Sequence, residues 1–148
     1  MIKAPLNLLL ADDDIDDCFF FRVALEEKQV SVNLTIVNDG DQLIQLISAK
    51  GTPIPDALFL DLNMPRKNGI ECLSEIRSID KLASLPIFIY STSLSQEVVD
   101  LLYEKGAKYY ICKPGEFNNL KKVLSKAVTI ISQKPLTQPS RDKFILEP

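Results

Sequence analysis

Apolar runs of strand length alternate with segments of helical period along most of the chain. The runs are Leu6–Ala11, Val32–Val37, Asp56–Leu60, Pro86–Tyr90 and Lys108–Ile111, and their near-continuous apolar character suits strands of a parallel sheet covered on both faces. Between them, apolar side chains recur at helical spacing. Phe21, Ala24 and Leu25 share one face, as do Leu43, Ile44 and Ile47, then Ile70, Leu73 and Ile76, then Leu94, Val98, Leu101 and Leu102, and finally Phe117, Leu120, Leu124, Ala127 and Ile131. Each stripe marks a buried helix face. The alternation predicts βαβ units, hence an α/β fold built on five parallel strands with helices on both faces. Beyond Ser132, Pro135, Pro139 and Pro148 punctuate a polar stretch. One domain is therefore expected over residues 1–133, followed by a C-terminal tail over 134–148 that is too short for a second domain.

Composition narrows the chemistry. With 148 residues, 46% hydrophobic and 25% charged, the chain can bury an ordinary core. Its net charge of −3 leaves no positive field for nucleic acid or an anionic membrane. The chain has no histidine, which excludes an imidazole base, a Ser-His-Asp triad, a histidine-ligated metal and a phosphohistidine of its own. Cys18, Cys72 and Cys112 are scattered, without the spacing of a disulfide framework or zinc knuckle. The first apolar run is too short for a signal core or a membrane span, so a soluble cytoplasmic protein is expected.

Open parallel sheets bind ligands beyond the carboxyl ends of their strands. Asp12 and Asp13 leave the first run there, and two adjacent carboxylates repel unless a cation, naturally a hard divalent one, sits between them. Asp14 reads as a helix N-cap, and Asp16 and Asp17 as an acidic first turn complementing the helix dipole. Asp61 follows the third run, where a carboxylate can ligate a metal or attack phosphorus to form an aspartyl phosphate. Ser91, Thr92 and Ser93 after the fourth run read first as a helix cap. Lys113, after the fifth, stands where an ammonium can neutralise a phosphoryl oxygen.

Taken together, the acidic pair Asp12–Asp13, Asp61 with Asn63 and Pro65, the hydroxyl of Ser91 and the Lys113–Pro114 step resemble the receiver domain of bacterial two-component response regulators over residues 5–133. That resemblance implies a flavodoxin-like sheet of strand order 2-1-3-4-5. It also implies that Asp61 is the phosphoacceptor, that Asp12, Asp13, Asp61 and the backbone carbonyl of Asn63 hold Mg²⁺, and that Lys113 and Ser91 bind phosphoryl oxygens. Ser91 and Tyr110 would form the switch pair that alters the surface of helix 4, strand 5 and helix 5. The donor would be a histidine kinase or histidine phosphotransfer protein and the reader a downstream protein, with no direct nucleic-acid or membrane contact. Such a stand-alone receiver, without an output domain, phosphorylates and slowly dephosphorylates itself and is not an enzyme acting on other substrates.

Other readings fit less well. A haloacid-dehalogenase-type phosphatase needs a second aspartate two residues after the nucleophile, where Asn63 stands. A nucleotide-binding fold needs a glycine- or hydroxyl-rich loop after the first strand, where five aspartates would repel phosphate. A receiver-shaped interaction module that is never phosphorylated stays open. The run Phe19–Phe20–Phe21 spans too wide an arc for every ring to face the core. Phe21 shares the buried face, so Phe19, one turn after Ile15, is expected to form with it an exposed apolar stripe where a phosphohistidine partner docks.

Overall fold

The computed structural model describes residues 5–27, 31–92, 95–133 and 137–148. In chain order its main elements are β1 (Leu6–Ala11), α1 (Ile15–Glu26), β2 (Val32–Val37), α2 (Gly40–Ser48), β3 (Ala57–Leu60), α3 (Gly69–Ser78), β4 (Ile87–Ser91), α4 (Gln96–Glu104), β5 (Tyr109–Cys112) and α5 (Phe117–Ser132). The five strands pair in parallel in the order β2-β1-β3-β4-β5, as expected. Asp56, Pro86 and Lys108 stand just before their strands. Pro86 has no N–H for the ladder, but its carbonyl accepts from the Leu58 N–H at 2.9 Å.

The period-2 pleat divides the core into two layers. Leu8, Leu10, Phe59, Phe88, Tyr90 and Ile111 face α1 and α5, while Leu9, Ala11, Leu58, Leu60, Ile87 and Ile89 face α2, α3 and α4. In the first layer Phe59 lies 5.0 Å from both Phe21 and Phe88, ring centre to ring centre. Burying aromatic rings in this way contributes more than their area alone, about 0.5–1.5 kcal/mol per pair.

Two sequence expectations are corrected. On α4 the buried residues are Val99 and Leu102, whereas Val98 is half-buried and Leu101 exposed; Leu94 lies outside the described residues. Both sets fit a period of 3.6, and only the neighbours in space decide which face turns inward. The hydroxyl run does not cap α4 either. Ser91 ends β4, Thr92 follows it, Ser93 lies outside the described residues, and the residue before α4, Ser95, makes no side-chain cap bond.

The C-terminal tail, among its described residues 137–148, lies against the domain. Phe144 is fully buried in the α4 layer, and Ile145 forms a parallel bridge with Tyr110 on β5. None of the helices among the described residues is long and apolar enough to cross a membrane.

Candidate functional site

Strand register brings the chemical residues to one edge. Ala11 pairs with Leu60, so Asp12 and Asp61 leave neighbouring strands side by side, and the Asp61 N–H donates to the Ala11 carbonyl at 2.9 Å. Ser91 pairs with Cys112, and the Lys113 N–H donates to the Ser91 carbonyl at 2.9 Å. The loops are held as firmly. Asp14 caps α1 by accepting from the Asp17 N–H, while its own N–H donates to Asp12 Oδ1, each at 3.0 Å. Asn68 and Glu71 close a capping box on α3. Gly69 touches the backbone of Asp61: a Cβ there would lie 2.3 Å from the Asp61 carbonyl oxygen, so only glycine lets the β3–α3 loop close.

The resulting site is rich in buried charge. Carboxylate oxygens of Asp12, Asp13 and Asp61 lie within 4.8 Å of one another. Lys113 Nζ sits 2.8 Å from Asp12, 2.8 Å from Asp17 and 3.9 Å from Asp61, and 5.3 Å from the centre of the Tyr90 ring. Asp12 and Asp61 are buried and Asp13 is exposed. Burial, reinforced by the Asp12 charge, pushes the Asp61 carboxyl up to about 7 against the opposing pull of Lys113 and the Asn63 N–H. Asp12 is likewise raised, first by burial. Burial works to lower Lys113, but its bonds to Asp12 and Asp17 outweigh that and hold it above its ordinary value, an ammonium at any physiological pH. Hard oxygen donors, too close together to ionise freely without added positive charge, suit a divalent cation.

The residues singled out in the sequence are distributed unevenly. Asp12, Asp13, Asp61, Lys113 and Ser91 meet at the edge, and Asn63 is exposed in the loop leaving it. Tyr110 is fully buried and its side chain is hydrogen-bonded to that of Ser91. Ile15 and Phe19 stand outside on α1, 79% and 59% exposed. Phe20 is exposed too and meets Phe117 of α5 edge-on at 6.3 Å.

Sequence reasoning missed two contributors. Asp17, read only as an acidic first-turn residue, reaches back to Lys113; its place three residues after the N-cap, on the turn nearest the strand ends, was the available signal. Asn38, directly after β2, donates from Nδ2 to the Asp12 carbonyl at 3.1 Å; its place at the carboxyl end of the second apolar run was the available signal.

Comparisons with known proteins agree with this geometry. The response regulator receiver domain family matches residues 8–125. Response regulator Rcp1 of Synechocystis is 28% identical over 124 residues, covering 81% of this chain and 84% of Rcp1. Transcriptional regulatory protein ZraR of Klebsiella oxytoca is 28% identical over 146 residues, covering 97% of this chain, which spans only 31% of ZraR. Among solved structures, the phosphorylated cyanobacterial phytochrome response regulator RcpA superposes with a TM-score of 0.82 at 26% identity, covering 93% of this chain and all of that one. The Mn²⁺-bound form of Rcp1 gives 0.77 at 26% identity, covering 92% and 100%. Strand order, the converging aspartates and these matches lead to one assignment: the chain belongs to the response regulator receiver domain family, a family of signalling domains.

Proposed function

We propose that Asp61 accepts a phosphoryl group from a phosphohistidine on a histidine kinase or histidine phosphotransfer protein, in the cytoplasm, and that Mg²⁺ is the cation of the site. The observation that carries this reading is the convergence of three carboxylates within 4.8 Å, with the Lys113 ammonium 3.9 Å from Asp61. An Asp61 oxygen forms a bond to phosphorus as the P–N bond breaks, and the electron pair returns to the donor imidazole. Such a transfer needs neutralised charge and in-line placement more than bond-making help. Asp12, Asp13, Asp61 and the Asn63 carbonyl would hold Mg²⁺, which when bound supplies positive charge to the phosphoryl oxygens and keeps Asp61 ionised.

Lys113 stands close enough to shift from Asp61 to a phosphoryl oxygen, and Ser91, ending the neighbouring strand, offers the hydroxyl donor. Because Ser91 is bonded to Tyr110, the phosphoryl-binding hydroxyl is linked to the surface of α4, β5 and α5, where a downstream protein reads the state of the site. Ile15 and Phe19, exposed beside Asp13, are the anchors for the phosphohistidine partner. The similar structures of Mn²⁺-bound Rcp1 and phosphorylated RcpA support the reading.

The test is incubation with acetyl phosphate and Mg²⁺ followed by intact mass. The chain is expected to gain one phosphoryl group that hydroxylamine removes, and Asp61→Asn to gain none. An adduct that persists in Asp61→Asn, or no adduct in the parent chain, overturns the assignment.

A further inference from the structure

As the last strand in the sheet order, β5 has one partner, β4, and an outer side that would leave its backbone groups unpaired. The C-terminal segment fills that side at one residue. The Tyr110 N–H donates to the Phe144 carbonyl at 3.0 Å, and the Leu146 N–H donates to the Tyr110 carbonyl at 2.8 Å. The segment is fastened on both flanks. Toward α4, Gln138 Nε2 donates to the carbonyls of Tyr103 at 2.7 Å and Ala107 at 2.8 Å, the Tyr103 hydroxyl donates to the Pro139 carbonyl at 2.7 Å, and Arg141 Nε pairs with Asp100 at 2.6 Å. Toward α5, Lys126 Nζ donates to the Glu147 carbonyl at 2.9 Å. Between these ties the Phe144 ring, fully buried, packs edge-on against Tyr103 at 5.1 Å and against Tyr110 at 6.4 Å.

The strap therefore closes around the residue whose side chain holds Ser91. For the Tyr110 ring to leave Ser91 and swing out between α4 and β5, it would have to enter space that Phe144 fills, while its own backbone is pinned on the outer side. We propose that Phe144 is a positioning residue for phosphoryl binding. The docked C-terminal strap holds Tyr110 inward against Ser91, so this receiver meets its phosphoryl group with the switch already set and with its α4–β5–α5 face covered by its own chain. Part of what a downstream protein meets there is then the strap itself. This rests on the reading that Asp61 is phosphorylated and Ser91 binds the phosphoryl group.

The test uses the full chain labelled with 3-fluorotyrosine, its Tyr110 ¹⁹F resonance assigned with Tyr110→Phe. The parent chain should show one sharp Tyr110 resonance that moves little when beryllium fluoride and Mg²⁺ are added. In Phe144→Ala the resonance should broaden or split and regain the parent position with beryllium fluoride, and phosphorylation by acetyl phosphate should slow about fivefold or more, a typical coupling between two linked sites. Phe144→Leu, which refills the space, should recover most of the rate. Arg141→Ala, which cuts the half-buried tie to Asp100 and leaves the Phe144 ring in place, should move the resonance in the same direction by less. A Tyr110 resonance unchanged in both Phe144→Ala and Arg141→Ala, with parental phosphorylation rates, overturns the strap's role. If Phe144→Ala fails to fold, Arg141→Ala decides by the same readouts. Failure of the underlying reading looks different: the parent chain itself would take up no phosphoryl group, and beryllium fluoride would move no tyrosine resonance in any variant.

Discussion

The carboxyl edge of the sheet and the outer edge of β5 are built by opposite means. At the carboxyl edge, Asp12, Asp17 and Asp61 crowd around one ammonium and Asp13 lies beside two of them, and backbone bonds and capped loops hold them where they would otherwise repel. At the outer edge, one buried ring and a pair of backbone hydrogen bonds seat a segment whose flanking contacts are polar. The first region stores unfavourable electrostatics that a cation and a phosphoryl group can relieve; the second rests on packing and hydrogen bonds already made. Variants should therefore harm the strap mainly through stability and the acidic edge mainly through chemistry.

The largest expected effect lies at the strap. Phe144→Ala removes a fully buried ring beside Tyr103 and Tyr110 and should cost about 3–5 kcal/mol of unfolding free energy. Urea denaturation measures it, and a loss within about 0.5 kcal/mol, the range of an ordinary surface substitution, would show that the strap does not belong to the core.

At the acidic edge the signature is dependence on pH. With the Asp61 carboxyl raised from 3.8 to about 7 in the folded, metal-free protein, the folded state binds more protons than the unfolded one between those values. Its stability should fall as pH rises from about 4 to about 7, by at most about 4 kcal/mol, and change little above that. A divalent cation should flatten the slope by stabilising the ionised carboxylates. A metal-free melting temperature that instead rises steadily from pH 4.5 to 7.5 would contradict the electrostatic account.

Lys113→Ala tests the ammonium. Phosphoryl acceptance with Mg²⁺ present should fall about 10²-fold or more, as for loss of one preorganised charge-stabilising donor, while the fold measured with Mg²⁺ is kept. A variant that melts early yet accepts phosphoryl normally would make Lys113 structural.

Asp17→Asn should give the smallest change. It frees Lys113 from one half-exposed carboxylate and lowers the negative potential met by the incoming phosphoryl group. With the Asp17 side chain 36% exposed, the pair is worth about 1 kcal/mol at most, so phosphorylation by acetyl phosphate should quicken by up to about fivefold, the corresponding factor. Slower phosphorylation would mean that Asp17 orients Lys113 and does not restrain it.

The same contrast explains what was legible in the sequence. Asp12, Asp61 and Lys113 stand directly after apolar runs, and the topology of a parallel sheet brings such positions together, so chain order alone placed them. Ser91 was legible by the same rule, although its neighbours suggested a cap that α4 does not use. Asp17 and Asn38 depended on side-chain reach around a loop, which periodicity does not encode. On α4 the choice between Leu101 and Val99 hung on which face met the sheet. Phe144 was hidden more completely. It is one aromatic in a polar, proline-punctuated stretch, with no period around it, and its burial follows from the unpaired edge of β5 and the space beside Tyr103, features that exist only once the domain has folded.

The central claim, that Asp61 is the nucleophile of this site, is tested most directly by phosphorylating the chain with acetyl phosphate and Mg²⁺, reducing with borohydride, and mapping peptides by mass spectrometry. Reduction converts an aspartyl phosphate to homoserine and leaves free carboxylates untouched. The account predicts homoserine at position 61 and nowhere else, dependent on both the donor and the metal. Homoserine at Asp12, Asp13 or Asp17 with position 61 intact, or no homoserine at all, would contradict it.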